Sequence, residues 1–351
     1  MLDKVHRRDT VVDMNKLPKE KRAQILSMLC EGSSMRAISR VCDVSLNTVD
    51  KLLVDAGSAC ASFHDATVRD VRAKYVQCDE IWSFCYSKES NTPSEESRIG
   101  RGDVWTWTAI DADSKLIISW AVGDRDAPTA DYFIRDVSNR LANRVQLTTD
   151  GHRPYLKAVE NHFGMDIDYA MLVKLYGEDV SVKRGSPERR YSPAQVIGTR
   201  TARIQGAPNA HYTSTSFAER HNLTMRMSMR RMTRLTNAFS KKFDNHCHAL
   251  ALYFVWYNFV KLHKAHKLTP AMAAGITDKL WSVEDIVALV EASEPKPGKR
   301  GPYKKRPVAE PGHPVAALSK VKPVDEHWAR ARSADRRAIE RIRNAESASD
   351  T

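Results

Sequence analysis

The sequence predicts an α/β protein in which a mixed-sheet core follows an all-α amino-terminal segment and precedes a basic tail. Three observations carry that expectation. Apolar residues recur at helical spacing between residues 16 and 60, strand-period and helix-period runs alternate from Val76 onward, and the apolar pattern stops near Pro295. The chain has 351 residues, enough for two or three domains of which the largest buries a full core. It divides into an extension (1–15), a helical domain (16–60), a linker (61–74), a mixed-sheet domain (75–292) with an insertion at 177–214, and a tail (293–351).

In the helical domain, Pro18 opens a first turn, and Ile25, Leu26 and Leu29 share one side of a helix that Gly32 closes. A second short helix lies in SMRAISRVC. After the turn Asp43-Val44-Ser45, Ser45 caps a third helix with Val49, Leu52 and Leu53 inward and Gly57 as its stop. Three short helices with a tight turn before the last make a helix-turn-helix, which would set Asn47, Thr48 and Lys51 in a DNA major groove. The alternative is a plain three-helix cap on the next domain.

In the sheet domain, VQCDEIWSF puts Val76, Cys78, Trp82 and Phe84 on one parity, and Gln77, Asp79, Ile81 and Ser83 on the other. Ser87 to Gly102 reads as a long polar hairpin loop. VWTWTAI and KLIISWAV are two further strands joined by the turn Asp111-Ala112-Asp113-Ser114. A helix from Pro128 to Leu141, the strand VQLTTDG ending on Asp150, a helix from Pro154 to Gly164, and the strand YAMLVKL complete the series. That order is the one used by the RNase H-like core.

Within the insertion VIGTRTARI is a strand or hairpin, and the whole reads as a flexible arm beside the active site. Thr213 to Arg234 reads as a basic helix with Arg226, Arg230 and Arg234 at steps of four along one side of Glu219. SKKFDNHCHALALYFVWYNFVKLH is apolar on more than one side and should pack on the sheet, and VEDIVALVEA closes the folded part. Seven prolines from Pro295 to Pro323, with Lys and Arg runs among them, make a disordered tail.

Lys plus Arg is 55 against 43 Asp plus Glu, a formal net charge of +12. That surplus favours a polyanionic partner, nucleic acid above all. No run of about 18 apolar residues and no leader peptide is visible, so the expectation is a cytoplasmic protein without membrane attachment. Six cysteines lack a CxxC pair, which argues against a disulfide framework or a zinc ribbon.

Three acids are candidates for chemistry. Asp79 and Asp150 on strands and Glu219 on a helix, spaced by about seventy residues, could converge to hold two divalent ions about 3.5 to 4 Å apart. Hard oxygen ligands point to magnesium (or manganese) rather than zinc. Such ions lower the pKa of an attacking water and neutralise charge at a phosphodiester. Without metal the acids repel, so at least one pKa should rise. Other readings stand beside this one. Ser216 and Glu219 fit a capping box, Glu80 has the parity of the aromatic face, and Asp111 and Asp113 sit in a turn, where Asp is ordinary. His152 and His221 adjoin two of the acids and are candidate supporting partners. His246 and His248, two apart on a helix, point away from each other.

CDEIWSF, TTDGHRPY and STSFAERHNLTMRMSMRRMTRLTNAFSKK, followed by WYNFVKLHKAHKLTPAMAAGI, resemble DDE-type transposases of bacterial insertion sequences. The group most similar is that of insertion sequence one, with a core like the retroviral integrase catalytic domain. The resemblance spans residues 16 to 290. It implies catalytic and metal-binding roles for Asp79, Asp150 and Glu219, two magnesium ions per site, and a transposon-end contact at Arg226. It further implies binding of terminal repeats by the amino-terminal helices, strand cleavage and transfer, and a homodimer or higher oligomer on double-stranded DNA. Three departures stand out: no zinc-ribbon cysteines precede the helices, Thr215 occupies the arginine place of a related Tyr-Arg-Glu-Lys signature that Tyr212, Glu219 and Arg226 otherwise fit, and the tail after residue 295 matches nothing in the group. The competing expectation is a DNA-binding regulator that kept the fold and lost the chemistry. A nuclease without strand transfer is a third.

Overall fold

The computed structural model describes residues 16–93, 100–177, 196–233 and 237–294. The extension, the middle of the insertion, Arg234 and the tail beyond Glu294 lie outside these residues. Three helices come first: α1 (Lys19–Cys30), α2 (Met35–Val41) and α3 (Leu46–Thr67). Ser34 and Ser45 cap the second and third, each accepting from the backbone N–H three residues on. The expected stop at Gly57 is not there. Helix α3 runs ten residues further, through the first half of the segment read as a linker. Gly57 instead faces α7 (Phe243–Val255): a Cβ there would stand 2.4 Å from the Cβ of His248. The glycine serves the close crossing of two long helices, and backbone hydrogen bonding carries α3 past it.

The sheet has six strands in the order β3-β2-β1-β4-β5-β6. β1 (Tyr75–Cys85), β2 (Gly102–Asp111) and β3 (Ile117–Gly123) form an antiparallel meander. β4 (Gln146–Thr149) and β5 (Asp168–Tyr176) run parallel to β1, linked by crossover helices α4 (Ala127–Arg140) and α5 (Pro154–Phe163). β6 (Val196–Gln205) returns antiparallel to β5 at the edge. Part of the expected arm is therefore a sheet strand, exposed along most of its length.

Both faces of the sheet are used. Trp107 of β2 meets Phe133 of α4 and Tyr155 of α5 on one side. On the other, Trp120 of β3 meets Phe254 of α7, and Asn258, on a π-helical continuation of α7, exchanges hydrogen bonds with the Ile117 backbone. Because neither face of β1 is open, Cys78, Ile81 and Cys85 are all buried and the alternation in its sequence does not separate wet from dry. All six cysteines are buried and unbridged. α6 (Ser216–Ser228), α8 (Pro270–Ala273) and α9 (Val283–Ser293) are the remaining α-helices among the described residues. No helix among the described residues is long and apolar enough to cross a membrane.

Candidate active site

Strand pairing brings the first two acids together. β4 pairs with β1 through Gln77 and Thr148, and two more steps of that register would set Asp150, just past the end of β4, opposite Asp79. Gly151 then lets the chain pass β5 closely, since a Cβ there would come 3.0 Å from a Val173 methyl. The backbone N–H of His152 donates to Asp150 Oδ1 at 2.9 Å and fixes that carboxylate.

Glu219 arrives by a different device. α6 has no side-chain cap of its own. Its first free N–H groups, of Phe217 and Ala218, donate to Gln77 Oε1 at 2.8 and 3.3 Å. A strand residue two before Asp79, on the same face, thus caps the helix from outside and docks it over β1. The capping box expected of Ser216 and Glu219 does not form. Thr215 holds the cap position, and its hydroxyl donates to Glu219 Oε1 at 2.6 Å.

Asp79, Asp150 and Glu219 line one cleft of about 610 Å³, with Arg125, His152, Arg153, Lys174 and Thr215 around them. Asp79 accepts from the Glu80 N–H at 2.9 Å and from Asn222 Nδ2, one helical turn past Glu219, at 2.8 Å. Burial, and then the charge of Asp150, push its carboxyl up to about 7, with Glu219 adding to the rise. Lys174 of β5 pairs with Glu219 Oε2 at 2.5 Å.

Glu80 also belongs here, against the expectation from parity. It points to the opposite face from Asp79, yet Asp79, Glu80 and Asp150 each bring one carboxylate oxygen within 4.8 Å of the others. Asp150, beyond the strand end, is reachable from both faces. Arg125 bridges the pair, donating from Nε to Glu80 Oε2 at 3.1 Å and from Nη2 to Asp150 Oδ2 at 3.0 Å. Burial and Asp150 push Glu80 up to about 8. Arg125, Lys174, Asn222 and Gln77 were not anticipated. The one sequence signal for them was the parity of Gln77 with Asp79.

The donor set suits a hard divalent cation. It is all carboxylate oxygen, Asp79 is destabilised as an anion, and Asn222 Oδ1 is buried without a hydrogen-bond partner.

The other expected residues separate. His152 stays at the cleft, its ring against Trp107 and Tyr155, and burial lowers its pKa. His221 does not join the acids. It lies buried among Tyr253, Phe254 and Tyr257, where desolvation pushes its pKa down to about 3. One residue along the helix from the Glu219-Asn222 side is enough to turn it into the core. The ladder of arginines is not formed either. α6 ends at Ser228 with Met229 extended, Arg226 sits in the last turn, Arg230 lies exposed in a 3-10 turn, and Arg234 is outside the described residues. The reason is Arg231, which turns inward to donate to Ser240 Oγ and the Asn245 carbonyl at 3.2 and 2.9 Å. Asn47 and Lys51 are exposed at the start of α3. Lys51 is paired with Asp55, and the Thr48 hydroxyl lies against Ser45 Oγ at 2.8 Å.

No known family description matches the chain, and no curated protein sequence matches it. Among solved structures, a piggyBac transposase in a synaptic complex with hairpin DNA is similar at 13% identity and a TM-score of 0.24, over 63% of this chain and 52% of that one. The chain spans about half the length of that structure's chain. A likeness so faint carries no weight for fold or function.

Proposed function

We propose that the chain is a DNA transposase of the insertion-sequence type, cleaving at element ends and joining them to a target. The observation that carries this is the convergence of Asp79, Asp150 and Glu219 on one cleft, with Asp79 held as a poor anion until a cation arrives. The strand order, three antiparallel strands followed by two parallel ones, is that of an RNase H-like core and supports the reading.

Asp79, Asp150 and Glu219 would hold divalent magnesium or manganese, two ions in the arrangement the sequence resemblance implies. When bound, the metal supplies charge neutralisation at phosphorus and a lowered pKa for the attacking hydroxyl. The protein's own groups do the rest. Gln77 fixes the angle of α6 and so the reach of Glu219. Arg125 keeps Glu80 neutralised beneath the cleft. The His152 N–H and Asn222 amide hold two carboxylates in place, and Arg153 at the rim is placed to meet a phosphate. Residues 16–60 serve as the DNA-binding domain through Asn47, Thr48 and Lys51, and 75–292 as the catalytic one. A homodimer holds the two ends, in the cytoplasm.

The test is nicking and strand transfer on a duplex carrying the element's end, with the native chain and Asp150→Asn. Metal-dependent nicking that Asp150→Asn abolishes is expected. Equal activity, or none in either, removes the proposal, and nicking without joined product leaves a nuclease. One observation favours the regulator reading: Glu219 and Asp150 are already ion-paired to Lys174 and Arg125. Metal-independent DNA binding with no cleavage would be its signature.

A further inference from the structure

Resting on that reading, we infer that Lys174 is a substrate-binding residue that alternates between Glu219 and a strand phosphate, with metal entry as the trigger. Arg125, Arg153 and Lys174 line the cleft, and the two that are ion-paired to its acids, Arg125 and Lys174, are tethered differently. Arg125 has two carboxylate partners, so when Asp150 is taken by a cation its guanidinium keeps Glu80, whose side chain is only 1% exposed. Among the described residues Lys174 is ion-paired to one carboxylate in the cleft, Glu219, with Asp79 near enough to feel its charge. A divalent cation beside Glu219 competes for the same oxygens and repels the ammonium. The ammonium sits on a flexible four-carbon stem from β5, 28% exposed, in the wall of a solvent-open cleft.

The acids that could receive it are then committed. Asp79 and Asp150 line the same cleft and would share the metal, and Thr215 already holds the other Glu219 oxygen. The new anion in the cleft is the phosphodiester. Lys174 therefore offsets the charge of Glu219 in the metal-free site. It afterwards supplies one cation to the strand, with no bond made or broken beyond the ion pair.

The experiment compares the full-length chain with Lys174→Met and Lys174→Arg, all checked for equal thermal unfolding in EDTA. Mn²⁺ affinity without DNA is read by electron paramagnetic resonance. Loss of the competing charge should tighten Mn²⁺ binding about tenfold in Lys174→Met, while Lys174→Arg stays near the native value. Affinity for a short duplex of arbitrary sequence is then measured in Ca²⁺ across a salt series. Lys174→Met should bind more weakly and lose about one unit from the slope of log affinity against log salt, and Lys174→Arg should keep it. Unchanged or weaker Mn²⁺ binding in Lys174→Met, or an unchanged salt slope, overturns the inference and leaves the transposase reading standing. A native chain that binds no Mn²⁺ overturns both.

Discussion

Replacing Asp79 by Asn should stabilise the metal-free protein at alkaline pH and leave it unchanged in strong acid. Burial and neighbouring charge move this carboxyl from 3.8 to about 7. Between those values the native state keeps a proton that the unfolded chain has lost, so native stability falls as pH rises through the window. Below it the group contributes nothing; above it the full penalty applies. About three pH units at about 1.4 kcal/mol each give a ceiling near 4 kcal/mol. The amide fits. Its oxygen takes over the Glu80 N–H, and Asn222, whose Oδ1 has no partner, needs only to exchange its amide ends to accept from the new Nδ2. Urea unfolding in EDTA at about pH 5 and about pH 8.5 reads the difference. A higher midpoint for Asp79→Asn is expected at both values, with the gain clearly larger at the alkaline one, since about pH 5 lies little more than one unit into the window and about pH 8.5 lies beyond it. In excess Mg²⁺ the order should reverse because the native chain alone gains the metal's binding free energy. Equal curves at both pH values would refute the claim that the acids repel one another when bare.

Gly57→Val should lower stability by about 1–3 kcal/mol or more in denaturant unfolding, since its side chain would fall on the His248 backbone. Gln77→Leu strands two helix N–H groups at a buried position and should cost about 1–3 kcal/mol while raising the metal requirement for cleavage. Arg125→Met leaves Glu80 buried without its cation, so the variant's unfolding midpoint should drop more at pH above 8, where Glu80 ionises, than at pH 6. His221→Phe should retain cleavage and gain acid tolerance. Because the native imidazole titrates near 3 instead of 6.5, native stability is lost as pH falls through that interval, and phenylalanine removes the slope.

The strands were legible because each is a period-two or buried apolar run closed by a turn, and Asp150 stood out as an acid followed by glycine at a strand end. Glu219 was legible as the single acid in a basic segment. What escaped were features set by a partner distant in sequence. Gly57 looks like a helix stop until His248 is opposite it. Glu80 looks misdirected until β4 is seen to end where both faces meet. Arg231 reads as one more exposed cation, although its guanidinium satisfies the Asn245 carbonyl fourteen residues away and so ends α6 early. His221 differs from Asn222 only by a rotation about the helix axis, and periodicity could not say which of the two faces the acids.

The most direct test of the ion-holding cleft is crystallographic: the protein soaked in Mn²⁺ and its anomalous scattering mapped. Density between the carboxylates of Asp79, Asp150 and Glu219, with Lys174 turned away from Glu219, is the predicted result. Density elsewhere, or a cleft still closed by the Lys174 and Arg125 ion pairs at saturating Mn²⁺, would contradict it.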